Sequence, residues 1–183
     1  MIKIIDYFLT NEECDALIDL AKPQLHDATV LGAAIDGYRT AQTTFFHFSN
    51  ELTDKLQNLI AFESGIPFQN QEKISVIKYE RGGEYKTHHD FFHPNESYFE
   101  AEVSRGGQRT QTFLFYLNDD YHGGQTDFPT KKIMVTPKKG RALAWKNLKD
   151  DGSPDYESLH AGLPVLAGTK WIAVVWIREN KFD

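Results

Sequence analysis

"KWIAVVWIRE", residues 170–179, reads as a β-strand, and its two faces say where in the fold that strand lies. Successive side chains of a strand project to opposite sides. Lys170, Ile172, Val174 and Trp176 therefore share one face, and Trp171, Ala173, Val175 and Ile177 share the other. Both faces are apolar apart from a single lysine, so the strand is covered on both sides and internal to a sheet. Lys170 is then predicted to project inward, where an ammonium without an anion is costly. No acidic residue stands out as a fixed partner, and an inward lysine among apolar side chains suits a carboxylate brought by a ligand. The alternative is a lysine at the strand mouth that snorkels to water.

Working back from this strand, the same period of two recurs from about residue 71 onward. It is seen in "KISVIKYE", "RTQTFLFYLN", "KKIMVTP" and "RALAWKN", separated by Gly- and Pro-bearing turns, which predicts an all-β barrel or sandwich. Tyr79 at the end of one strand, and Thr110, Thr112, Leu114 and Tyr116 alternating on another, are placed to line the same cavity as Lys170. Upstream the period is helical. Thr10 and Glu13 form a capping-box pattern ahead of Cys14, Leu17, Ile18 and Ala21, predicting a helix over 11–22 that Pro23 ends. A second helix is predicted over 50–64, with Leu52, Leu56, Leu59 and Ile60 on one face, Phe62 at its edge and Gly65-Ile66-Pro67 closing it. One domain is expected over 1–183, with 1–70 as a helical support region and 71–183 as the core. The polar, aromatic-spotted segment "HPNESYFEAEVSRGGQ", 93–108, is long enough for a lid, or is a plain disordered insertion.

Composition narrows the function classes. With 183 residues, 40% hydrophobic and 13% aromatic, the chain can bury a core without staples. Its 26 acidic and 20 basic residues give a net charge of −6, and no basic stripe is interleaved with aromatics, so no nucleic-acid partner is expected. No run approaches a membrane span and the N-terminus lacks a secretory pattern, so no membrane partner and a cytoplasmic address are expected. A monomer or homodimer is expected. The single cysteine, Cys14, sits among apolar helical positions and is read as a buried structural thiol.

The chemistry-bearing stretch is "YKTHHDFF", 85–92. On a continuing strand His88 and Asp90 face together and His89 faces away, giving an imidazole and a carboxylate that converge as most of a facial site for a divalent metal. The missing ligand would be a histidine from another strand, and His160 in "SLHAGLPVLAG" is the best candidate. His93, His122, His26 and His47 fall in loops, turns or the N-terminal part, where an exposed or locally hydrogen-bonded histidine is the expected state.

Three passages, "YERGGEYKTHHD", "FLFYLNDDYHGGQTDFP" and "HAGLPVLAGTKWIAVVWIRE", together resemble the prolyl 4-hydroxylase family of Fe(II)- and 2-oxoglutarate-dependent dioxygenases, in its short bacterial and viral form. The likeness runs from "YRTAQTTFF" to the C-terminus and rests on several spaced motifs in one order. It implies a double-stranded β-helix, the jelly-roll, with N-terminal α-helices buttressing one side. It implies that His88, Asp90 and His160 hold iron, that Lys170 and Thr126 bind the far carboxylate of 2-oxoglutarate, and that Tyr79 hydrogen-bonds the same cosubstrate. Trp176 would pack beside the site, and Arg109 and Arg39 would help place the substrate, Arg109 within the catalytic set. The cosubstrates would be 2-oxoglutarate and O2, with ascorbate as reductant, and the products succinate and CO2. The substrate would be a prolyl residue in a peptide or protein. The alternatives are free proline or another small molecule, a noncatalytic jelly-roll that senses 2-oxoglutarate or metal, and a zinc hydrolase on a similar barrel. Gln125 replaces the family's usual acidic residue after the paired glycines, and Ala41 and Phe45 replace its usual serine and tryptophan, which touches substrate choice and leaves the metal ligands intact.

Overall fold

The computed structural model describes residues 2–29 and 38–182. Its order is β1 (Ile2–Ile5), α1 (Asn11–Ala21), β2 (His26–Asp27), β3 (Gln42–Phe45), α2 (Glu51–Ser64), β4 (Ser75–Tyr79), β5 (Tyr85–His88), α3 (Phe99–Val103), β6 (Arg109–Tyr116), β7 (His122–Gly123), β8 (Thr126–Phe128), β9 (Ile133–Val135), β10 (Ala142–Lys146), β11 (His160–Gly162), β12 (Val165–Ala167) and β13 (Lys170–Arg178). A major sheet runs β1-β10-β6-β13-β4-β3-β2 and a minor sheet β5-β11-β8-β9, with β12 and β7 as a separate pair. Neighbours are antiparallel throughout.

The doubly apolar strand β13 sits in the middle of the major sheet, between β6 and β4, as its faces require. Trp171, Ala173, Val175 and Ile177 bury against the helical layer with Phe113, Phe115, Leu17, Leu56 and Ile60. Ile172 and Val174 bury on the other side with Ile77, Leu114, Phe128, Val135 and Trp145, between the major and minor sheets. Strands β4, β6, β10 and β13 contribute to both cores, and the site lies in the second. This is the expected mainly β architecture of two facing sheets with helices on one side.

The helices begin and end on the expected chemistry. Thr10 caps α1, its side chain accepting from the Glu13 amide while Glu13 reaches back to the Thr10 amide. Asn50 and Thr53 do the same for α2, and Gly65 closes it in the left-handed conformation (φ 70°) that glycine adopts at low cost. Pro23 ends α1 within a tighter 3-10 turn, Lys22–Gln24, rather than at once. Phe62 is 88% exposed on the outer side of α2, off the buried Leu56 and Ile60 stripe. Cys14 is fully buried, and burial pushes its thiol up to about 11, consistent with a structural role.

Residue 70 marks no boundary in the sheet. Strands β1, β2 and β3 precede it and belong to the major sheet, β1 pairing with β10 and β3 with β4, so the support region is part strand. Their shortness hides the period in the sequence. Within 93–108 the chain forms α3, and Arg178 ties this segment to the body through bonds to the Glu102 and Gly107 carbonyl oxygens.

Candidate active site

Strands β5 and β11 pair antiparallel with His88 opposite His160, which brings the two imidazole centroids to 4.3 Å. Each ring donates its Nδ1 proton to a backbone carbonyl two residues earlier, His88 to Lys86 (2.7 Å) and His160 to Ser158 (2.9 Å). A carbonyl only accepts, so both rings are held as the tautomer whose Nε2 carries the lone pair. Those two nitrogens face one carboxylate, His88 Nε2 standing 3.6 Å from Asp90 Oδ1 and His160 Nε2 3.7 Å from Asp90 Oδ2. One ligand atom from each of the three lies within 4.8 Å of the others, a group able to hold a metal ion.

The reason Asp90 joins the histidines differs from simple alternation. Strand β5 stops at His88 and the chain bends at Asp90, so the carboxylate is swung into place beyond the last ladder pair. His89 does face away, its Nε2 3.1 Å from the Tyr156 carbonyl and its ring among Phe91, His93 and Tyr156. Burial pushes the His88 imidazole down to about 3, and neighbouring His160 adds to it, so His88 is neutral near pH 7. Burial alone would raise the Asp90 carboxyl, but His160, His88 and Arg109 and a bond from Thr112 outweigh it and hold the group below its usual range. Two imidazoles and one carboxylate are the donor set suited to a divalent first-row metal with positions to spare. The set fits iron(II).

Asp90 stands between two cavities. The inner one is small, about 40 Å³, and its wall includes Ile77, Leu114, Ile172 and Val174. Lys170 points into it, 2% exposed, with no hydrogen bond or ion pair among the described residues. Its Nζ lies over the Tyr79 ring (5.1 Å to the centroid) and at 6.0 Å from that of Tyr116, and burial pushes it down to about 7. Gly124, at φ 65°, lets the chain pass the lysine stem: a Cβ there would stand 3.0 Å from Lys170 Cδ. Thr126, 1% exposed, lines the same pocket and shares a 2.6 Å hydrogen bond with the Tyr116 hydroxyl. Tyr79 is cross-strand partner to Lys170, and burial raises its hydroxyl.

The outer cavity is a groove of about 740 Å³. Arg109 lies in its floor, its guanidinium bidentate on Glu72 (2.6 and 2.8 Å), stacked 4.0 Å over Trp176 and 3.4 Å from the Asp90 carbonyl oxygen. Arg178 also pairs with Glu72, at 2.6 Å. Arg39 borders both cavities, 4.8 Å over the Tyr85 ring. All nine sequence-derived site residues thus line one or both cavities. His93 and His47 line the groove, whereas His26 and His122 are exposed in short strands elsewhere.

Tyr85, Glu72 and Asn147 escape the sequence reading as parts of the site, and Thr112 enters it only as a cavity-lining residue. Tyr85 stacks on His88 with centroids 3.5 Å apart, and Glu72 anchors Arg109. Thr112 donates to Asp90 Oδ2 (2.7 Å) and accepts from Asn147 Nδ2 (2.9 Å). Only Thr112 carried a signal, its place in the alternation of β6.

Comparisons with known proteins agree with this geometry. Residues 74–178 match the profile of the 2OG-Fe(II) oxygenase superfamily. The Arabidopsis thaliana protein named probable prolyl 4-hydroxylase 8 is 37% identical over 201 residues, covering 96% of this chain and 68% of that one. Prolyl 4-hydroxylase 2 of the same plant is 34% identical over 207 residues, covering 98% and 68%. The solved 2OG complex of a viral collagen prolyl hydroxylase from Paramecium bursaria chlorella virus-1 superposes with a TM-score of 0.76 at 31% identity, covering 97% of this chain and 94% of that one.

Proposed function

The chain belongs to the prolyl 4-hydroxylase family of the 2OG-Fe(II) oxygenase superfamily, an oxidoreductase family using Fe(II) and 2-oxoglutarate, and we propose that it hydroxylates prolyl residues in a peptide or protein. The observation that carries this reading is the position of the His88, Asp90 and His160 cluster where a small pocket ending on a lysine unpaired among the described residues meets a groove of about 740 Å³.

In this reading His88 and His160 hold iron through Nε2 and Asp90 through a carboxylate oxygen. Iron(II) and 2-oxoglutarate, when bound, supply with O2 the oxidising power, the keto acid leaving as succinate and CO2 while one oxygen atom enters a C–H bond of the substrate. The protein does the rest by placement. Lys170 and the Thr126 hydroxyl hold the far carboxylate, and Tyr79 hydrogen-bonds the same molecule. Ile77, Leu114, Ile172 and Val174 keep water from the pocket. Arg109, fixed by Glu72 and Trp176, and Arg39, fixed over Tyr85, orient the substrate at the mouth. The groove favours an extended substrate over free proline, since a single amino acid would leave most of about 740 Å³ unfilled.

The finer expectations go with this reading: one domain over 1–183, a cytoplasmic monomer or homodimer, ascorbate as reductant, and no nucleic-acid or membrane partner. The described helices include none long and apolar enough to cross a membrane. The test is mass spectrometry of proline-containing peptides incubated with the protein, Fe(II), 2-oxoglutarate and ascorbate. One oxygen gained on a proline, with succinate formed, is expected. Oxygen on free proline alone would move the substrate to a small molecule, and 2-oxoglutarate binding without any succinate would leave only a sensing module.

A further inference from the structure

Behind Asp90 lies a buried polar pair in the middle of the major sheet. Thr112 and Asn147 are both fully buried. Thr112 stands opposite Trp145 on β10 and Trp176 on β13, so its backbone is pinned from both sides. The Asn147 backbone is tied to the Thr110 carbonyl oxygen (2.8 Å). Neither residue lines the groove, and among the described residues Asp90 is the one charged partner of Thr112 and Asn147 has none.

The direction of this chain of hydrogen bonds is set at its anionic end. An ionised carboxylate only accepts, so the 2.7 Å contact requires Thr112 to donate its one proton to Asp90 Oδ2. The threonine oxygen is then an acceptor toward Asn147, which must present its Nδ2 at 2.9 Å. The Asn147 Oδ1 atom is left buried without a partner, the cost of aiming the amide this way. Both oxygens face a ligand nitrogen, Oδ1 standing 3.6 Å from His88 Nε2 and Oδ2 3.7 Å from His160 Nε2, but Oδ2 is engaged by Thr112 while Oδ1 has no donor among the described residues.

We propose that Thr112, oriented by Asn147, is a positioning residue of the metal centre: it locks the rotation of the Asp90 carboxylate so that Oδ1 alone is offered to the ion. A carboxylate bound through one oxygen leaves open a position that a two-oxygen mode would occupy. This rests on the reading of His88, Asp90 and His160 as the metal ligands, and the test separates the two.

Co(II) is the probe, titrated into wild type, Thr112→Val, Thr112→Ser and Asn147→Ala, with binding and the cobalt d–d absorption spectrum recorded in the absence of turnover. Thr112→Val keeps the shape and removes the donor. It is expected to bind Co(II) about 10- to 100-fold more weakly and to alter the spectrum, whereas Thr112→Ser restores affinity and spectrum to near the wild-type values. Asn147→Ala is expected to weaken binding by a smaller factor, and this decides the matter if Thr112→Val does not fold. Wild-type affinity and spectrum in Thr112→Val or, failing that, in Asn147→Ala would overturn the proposal, as would a serine variant as weak as the valine one. If wild type itself binds no Co(II), the ligand assignment falls, and the positioning role falls with it.

Discussion

The inner pocket takes its lining from strands: all but Arg39 and Asp90 of its residues lie in β4, β5, β6, β8, β10, β11 or β13. The outer groove takes most of its lining from connections, among them Glu72, Lys73, 89–93, Glu96, Tyr98 and Arg105. Ladder hydrogen bonds on both sides fix the first, while the second hangs on side-chain ties such as Arg109 to Glu72 and Arg178 to the Gly107 carbonyl. The contrast fits a division of labour in which the rigid part serves the cosubstrate, always the same molecule, and the part with fewer constraints serves the substrate.

Substitutions can break that contrast or make it sharper. The largest effect is expected where the cavities meet: Asp90→Ala should lower succinate formation and peptide hydroxylation together by about three orders of magnitude or more, read by coupled assay and mass spectrometry. Next comes the blind end. Lys170→Met should raise the 2-oxoglutarate KM on the order of 100-fold without weakening the ligand-free fold. Because it removes an unpaired buried amine, the thermal midpoint should rise, by on the order of 1–3 kcal/mol in stability. A lowered midpoint would mean that Lys170 has a partner in the free protein. The same lysine predicts a pH signature. Its ligand-free value near 7 leaves it mostly neutral at pH 8, and a bound dicarboxylate favours the charged form. Binding at pH 8 should therefore take up close to one proton, and well below pH 7 none, as measured by calorimetry in buffers of different ionisation heat.

The groove should respond more gently. Arg109→Lys loses the bidentate bond to Glu72 and the stack on Trp176 and should lower kcat/KM for peptide by about 10-fold, leaving 2-oxoglutarate affinity in place. Arg105→Ala, half-exposed at the groove edge, should change only the peptide KM, by about 2- to 5-fold. If either groove variant moved cosubstrate affinity as much as peptide affinity, the two cavities would not be separable.

The strand-built half was also the more readable from sequence. Two apolar faces place β13 inside a sheet from the sequence alone, and the one lysine on it announces a pocket that needs an anion. Alternation groups His88 with Asp90 correctly, although the chain bends after β5 and delivers the carboxylate by that bend. His160 stands out because a buried strand follows its turn, but only the ladder shows it opposite His88. What stayed hidden depends on pairing between distant segments. Glu72 looks like any acidic residue ahead of a strand until Arg109 and Arg178 close on it, and Asn147 looks like the polar end of a strand run until β10 lies beside β6. The short strand β1, half-buried at its two ends and exposed between them, has too few residues for a period to emerge.

Strand β13 carries Lys170 near its start and Trp176 near its end, on one face. At about 3.3 Å per residue their Cα atoms stand roughly 20 Å apart, and nothing between them can stretch. One element thus acts as a ruler between the anchor of the small acid and the floor of the groove. A single inserted residue would turn the tryptophan over to the helical side, so length variation among homologues should be confined to the loops and excluded from this strand.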